Sequence, residues 1–185
     1  IYSLDDLIIN HTMFPQYARF LSGKEQKEAL EKIKKYCDPH KAVTILPRNK
    51  NEKCLKYCPL CVKEDREKYG ETFWHRKHQI RNVNVCSVHQ CKLEDSIVAA
   101  TTQKTFTLQP AELAAKITKP TFIENTEQIN FSKYAIELFE ADMKENSDIN
   151  VRAVIYNSMA STKYRRGQQR HMSQFADDLQ AFYKG

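Results

Sequence analysis

The sequence predicts a mainly α fold with a small zinc-finger or zinc-ribbon module, flanked on either side by helix-turn-helix-like helices. Three observations predict it. Apolar residues recur at helical spacing towards both ends of the chain, two Cys/His pairs with identical gaps stand between them, and the stretch holding those pairs lacks the apolar runs of a self-supporting core.

Residues 3–9 read as a helix start, with Ser3 and Asp6 as a capping pair and Leu4, Leu7 and Ile8 on one face. Pro15 then restarts the chain. Residues 22–36 carry a strong helical signal: Leu30, Ile33 and Cys37 share a stripe, and Glu28 with Lys32 and Glu31 with Lys35 stand one turn apart. Asp38-Pro39-His40 ends that helix, because the residue before a proline is pushed out of helical geometry. A basic connector, 41–54, follows, in which Val43-Thr44-Ile45-Leu46 forms a short strand or a turn of helix. After Asp95, polar and apolar residues alternate over 101–108 as in a half-exposed strand. Pro110 and Pro120 bracket a small helix around Leu113 and Ile117, and a longer helix spans 132–144 with Tyr134, Leu138, Phe139 and Met143 on its face. Two helical periods close the chain: Val151, Val154, Ile155, Ser158 and Met159, then Met172, Phe175, Ala176, Leu179, Phe182 and Tyr183.

Of the 185 residues 41% are hydrophobic, enough for one domain or two small ones. No apolar run approaches the roughly eighteen residues of a membrane span. The opening Ile1-Tyr2-Ser3-Leu4-Asp5-Asp6 lacks the basic and apolar regions of a signal peptide, so a cytoplasmic protein is expected, with its natural N-terminus upstream of Ile1. A formal charge of +6, from 29 basic and 23 acidic residues, favours an anionic partner without identifying one. Six cysteines in this length are too sparse for a secreted disulfide scaffold.

Their spacing points to a metal. Cys58-Pro59-Leu60-Cys61 and Cys86-Ser87-Val88-His89 are separated by the 24 residues 62–85. A C-x2-C knuckle sets two thiolates on one side of a tight turn, and a second pair closes the tetrahedron from a distant loop. Three sulfurs and one imidazole suit one structural zinc ion, and a shell filled by protein leaves no position for substrate. Cys54, His75, His78 and Cys91 lie near enough that any one could replace His89 or Cys86. Cys37 and His40 form a further C-x2-H pair with no second pair beside it, and read as helix-end residues. Between the knuckles, Gly70 is expected at a positive φ. Phe73 and Trp74 are expected to supply apolar area to the lobe. His75, Arg76, Lys77 and His78 are either a phosphate-binding or a plainly solvated ridge.

The resemblance carried by these residues is extended. Beyond the four ligands it includes Cys58-Pro59-x-Cys61 followed by Asp65, then Tyr69-Gly70-Glu71-x-Phe73-Trp74-x-Arg76, Cys86-x-x-His89 and Leu93. Upstream it takes in Leu7-Ile8-x-x-His11-Thr12-Met13-Phe14-Pro15-x-Tyr17. From about Leu4 to Leu93 the chain resembles the TniQ/TnsD family, which selects the insertion site for transposons of the Tn-seven type. The resemblance implies a double-stranded DNA attachment site as ligand. It also implies an AAA+ ATPase regulator as partner, through which the transposase is recruited. It implies neither catalysis nor a small-molecule substrate nor a membrane. Shorter relatives resemble parts of RNA-guided complexes, so the route of target choice stays open.

On this view residues 1–53 are the helical part of the family region, 54–95 the zinc module, 96–145 a linker with a helical segment, and 146–185 the start of a helix-turn-helix-like region. Lys163-Tyr164-Arg165-Arg166-Gly167-Gln168-Gln169-Arg170-His171 has four fixed positive charges and no acid. It lies between two amphipathic periods, longer than an ordinary helix-turn-helix turn, so a wing or loop fits it better. Lys163, Arg165, Arg166, Gln168, Gln169 and Arg170, with Arg76 and Lys77, are the candidate DNA contacts, and Ser173 the candidate cap of the last helix. A nucleobase deaminase would need His-x-Glu beside its cysteines, and the sequence has none. The remaining rival is an adaptor whose zinc lobe binds protein alone; otherwise the protein is expected on the nucleoid.

Overall fold

The computed structural model describes residues 2–36, 54–99, 109–143, 154, 157, 158, 162–166 and 169–184. It is mainly helical, with two small two-stranded sheets among the described residues. The chain forms two compact units, residues 1–47 with 142–185 and residues 48–141. Among the described residues no helix is long and apolar enough to cross a membrane.

In the first unit, α1 (Leu4–His11) opens with the capping box read from the sequence: the Asp6 N–H donates to Ser3 Oγ at 3.1 Å and the Ser3 N–H to Asp6 Oδ2 at 3.0 Å. Thr12 then turns the chain, its hydroxyl donating to the Ile8 carbonyl at 2.6 Å and accepting from the Phe14 N–H at 3.1 Å. α2 (Phe14–Ala18) carries Pro15 in its first turn, where the missing N–H costs no helical hydrogen bond. α3 (Gly23–Tyr36) starts after Ser22, which exchanges hydrogen bonds with Glu25 in a second capping box. Ile8, Phe14, Ala18 and Ala29 form the core, with Ile9, Leu21, Leu30, Ile33 and Met143 packed against it. Lys34 pairs with Asp5 of α1 at 2.6 Å and with Glu31 at 2.7 Å. The expectations at Cys37, at His40, at 43–46 and at 101–108 lie outside the described residues.

The C-terminal part of this unit contains a tight hairpin, β3 (Arg165–Arg166) against β4 (Gln169–Arg170), followed by α7 (Met172–Lys184). The first bond of α7 runs from the Phe175 N–H to the His171 carbonyl at 3.0 Å. Ser173 is therefore inside the first turn and does not cap it. Of the preceding helical period Val154, Asn157 and Ser158 are described, with Ser158 Oγ donating to the Val154 carbonyl at 2.9 Å.

The second unit is built on an antiparallel pair, β1 (Cys54–Tyr57) and β2 (Glu94–Ala99), with Lys56 opposite Asp95 and Tyr57 opposite Glu94. α4 (Pro59–Tyr69) follows β1 directly and ends at Gly70, whose φ of +85° is the left-handed stop expected there. A 3-10 turn, Arg76–Gln79, leads to the second knuckle. α5 is one turn, Ala111–Ala114, shorter than the two prolines suggested; the chain leaves it extended, and Ile117 is exposed. α6 spans Thr126–Glu140, six residues earlier than the apolar stripe suggested, because Asn125 caps it by accepting from the Gln128 N–H at 2.9 Å. Its buried face is Ser132, Ile136 and Phe139, whereas Tyr134 faces out.

Candidate metal centre

α4 begins at the first knuckle. Cys58 occupies the N-cap, its sulfur accepting from the Cys61 N–H at 3.5 Å, and Pro59 takes the first helical position, so both thiols point off the helix start. The second knuckle is a hairpin-like turn. The Gln90 N–H donates to the Cys86 carbonyl at 2.8 Å, the Cys86 N–H to the Cys91 carbonyl at 2.8 Å, and the Leu93 N–H to the Asn84 carbonyl at 2.8 Å. Gln90 accommodates the turn at a φ of 52°. Its outer edge is covered by residues 121–123, through the Lys92 N–H to the Thr121 carbonyl and the Ile123 N–H to the Gln90 carbonyl.

These two turns bring Cys58, Cys61, Cys86 and His89 together, with all four donor atoms within 4.8 Å of one another. His89 Nδ1 lies 3.5 Å from Cys58 Sγ, 3.4 Å from Cys61 Sγ and 3.6 Å from Cys86 Sγ. The three cysteines are buried and His89 nearly so. Three sulfurs and a nitrogen converging on one point fit a single tetrahedral soft cation, and zinc suits that donor set.

The groups around the cluster fit the same purpose. His89 Nε2 meets Glu64 Oε1 at 2.9 Å, so the carboxylate holds the proton on Nε2 and leaves the Nδ1 lone pair facing the sulfurs. Without an ion, burial works against a charged His89 but Glu64 and the neighbouring thiols raise its pKa to about 9, so the ring must give up its Nδ1 proton before that lone pair can bind a cation. Hydrogen bonding from Cys61 holds the Cys58 thiol far below its usual range, and the same contact drives Cys61 far above it. Cys86 settles at about 7, Cys58 pushing it up while Cys61, and then His78, draw it down.

Of the four possible substitutes, Cys91 comes nearest: its fully buried sulfur is 3.4 Å from Cys58 Sγ, and burial pushes its thiol up to about 12. His78, also buried, places Nε2 at 3.9 Å from Cys61 Sγ. His75 is engaged elsewhere, 2.8 Å from the buried Asp65, and Cys54 begins β1. The stretch between the knuckles is thus no continuous surface ridge. His78 is core, Trp74 donates from Nε1 to the Gln109 carbonyl at 2.8 Å beside Tyr57, Val62 and Ala115, and Phe73 is half exposed, stacked on His75, outside that core.

The candidate DNA contacts fall into two sets. In the second unit, Arg76 sets its guanidinium 4.7 Å over the Phe139 ring, and Lys77 is half buried. In the first unit, Arg165, Arg166, Gln169 and Arg170 are hairpin positions, and Gln168 lies outside the described residues. Lys163 is exposed but paired with Asp178 of α7 at 2.5 Å, while the Tyr164 hydroxyl donates to the same carboxylate at 3.1 Å. Sequence reasoning missed Glu64, Glu112 and Asp178, and named Asp65 only within the family resemblance, without its role. Glu64 alone had a signal: three residues after Cys61, it shares a helical face with that ligand.

A buried cysteine/histidine cluster that follows a run of short helices along the chain defines a small helical domain with a candidate metal centre, and the comparison with known proteins gives its family. Residues 2–93 match the TniQ family model, so over that half the chain belongs to the TniQ family. Across 93 residues it is 33% identical to the transposon Tn7 transposition protein TnsD of Escherichia coli. The match covers 48% of this chain and 18% of that relative's length.

Proposed function

We propose that this protein is a non-catalytic target selector for transposon insertion, which binds a double-stranded DNA attachment site and recruits an AAA+ ATPase regulator and, through it, the transposase. The carrying observation is the TniQ match over 2–93 together with the likeness to a TnsD transposition protein. The cluster Cys58, Cys61, Cys86 and His89 is proposed to hold one structural zinc ion. Bound there, zinc supplies folding free energy, about 10–16 kcal/mol in comparable peptides near neutral pH, to the lobe whose two turns it would tie together. Nothing in this role calls for a small-molecule substrate or a membrane, and the cytoplasmic nucleoid is the proposed location.

The hairpin and α7 are the proposed DNA-reading surface, with Arg165 and Arg166 meeting phosphate and Gln168, Gln169 or Arg170 reaching base edges. The full-length protein should bind duplex DNA with an affinity that falls steeply with salt. Replacing Arg165 and Arg166 with Ala should flatten the log–log salt slope by roughly two units, about 0.9 per lost phosphate contact. Changing Gln169 or Arg170 should instead cost about 1–3 kcal/mol on the cognate site and little on random duplex. Salt-independent binding, or normal binding after all four charges are removed, would sink this assignment. A second reading, an adaptor that binds only protein, has one observation in its favour: Lys163 and Arg76 already have partners in Asp178 and Phe139.

A further inference from the structure

A zinc ion held by three thiolates and a neutral imidazole leaves a net negative charge in a buried site. Such charge is costly unless N–H groups point at the sulfurs. The Cys61 N–H serves Cys58. His78 lies against Cys61, 1% exposed, with Nε2 at 3.9 Å from its Sγ and with Nδ1 having no hydrogen-bond partner among the described residues.

This orphan nitrogen decides the tautomer. A proton on Nδ1 would bury an unpaired N–H, and Nε2 would then need an S–H donor, which metal binding removes. A proton on Nε2 leaves only a bare lone pair unpaired and turns the N–H towards sulfur. The ring is held in place: the His78 N–H donates to the His75 carbonyl at 3.1 Å, the two rings lie 4.9 Å apart, and Asp65 pins His75 at 2.8 Å.

We propose that His78 is a positioning residue of the metal centre, donating Nε2–H to the Cys61 thiolate and so slowing loss of the ion, while not being a ligand. The proposal rests on the zinc reading of the cluster. It is tested on the zinc-loaded full chain with His78→Phe, which keeps ring and volume but has no donor, and His78→Gln, which can restore an N–H near the same position.

Both variants should retain one zinc per chain by elemental analysis. Transfer of zinc to a chromophoric chelator should be about ten- to hundred-fold faster from His78→Phe, with partial recovery in His78→Gln. In the cobalt-substituted protein, the sulfur-to-metal charge-transfer band should move in His78→Phe, a signature that lost packing alone would leave in place. Should the variants not fold, long-range 1H–15N correlation on the wild-type zinc form must show the His78 proton on Nε2; a proton on Nδ1 overturns the proposal. Unchanged transfer and an unmoved band overturn it as well, and so does loss of the metal with a changed donor count, which would make His78 a ligand. Wild-type protein carrying no zinc overturns the metal reading itself, and that result is distinct from all the others.

Discussion

Gly70 ends α4 at a φ of +85°, and among the described residues beyond its own chain neighbours and helix backbone no atom lies within 4 Å of where a β-carbon would sit. The cost of Gly70→Ala is therefore backbone strain alone, about 1 kcal/mol, and should appear as a lower denaturant midpoint with an unchanged slope. The cysteines separate by role in the same way. Cys86 is a donor of the cluster, whereas Cys91 lies behind Cys58, so Cys86→Ser should lose the metal and unfold the lobe while Cys91→Ser keeps one zinc per chain. Elemental analysis with thermal melts checks both, and equal loss in the two mutants would mean a different ligand set. The four donors were legible in the sequence because a repeated two-residue gap is a local signal. The role of Asp65, at 6% exposure, was not, because its partners Thr72 and His75 meet it only once α4 and the following loop have folded back.

At the scale of elements, α5 is one turn long and is held from outside. Arg66 Nε reaches both Glu112 carboxylate oxygens, at 2.9 and 3.0 Å, and the Thr72 N–H donates to Oε2 at 2.9 Å. Arg66 and then Thr72 hold the Glu112 carboxyl below the ordinary glutamate range. A depressed folded pKa means that this stabilisation is fully present above the unfolded value and is lost as pH falls through the folded one. Amide exchange at Ala115, whose N–H closes α5 onto Ala111, should accelerate on acidification in the wild type and be fast at every pH in Glu112→Gln. Equal protection in the two proteins at neutral pH would refute the latch. Helix existence was readable from periodicity, but boundaries followed caps that stripes do not reveal: Asn125 begins α6 six residues before the apolar face did. β1 and β2 escaped notice because each is short and gains its identity only by pairing with the other, across more than thirty residues.

For the whole molecule, the two compact units differ in what holds them. The first is held by the apolar core of Ile8, Phe14, Ala18 and Ala29, while the second buries Val62, Ile80, Val83, Val85, Leu93 and Val98 along the segment that also carries the donor cluster. A strong chelator should therefore strip one zinc per chain and abolish amide protection across 54–99 while α1 to α3 stay protected; a finding of zero or two zinc ions, or of uniform loss, would contradict this division. Cys58 connects these scales, since one sulfur both caps α4 and belongs to the donor cluster, whose last member, His89, comes 31 residues later. On a ribosome working at about 5–20 residues per second, the capped helix start emerges roughly two to six seconds before the site can be completed. Throughout that interval the nascent chain displays two adjacent thiols, half of the donor set, before the other two members exist.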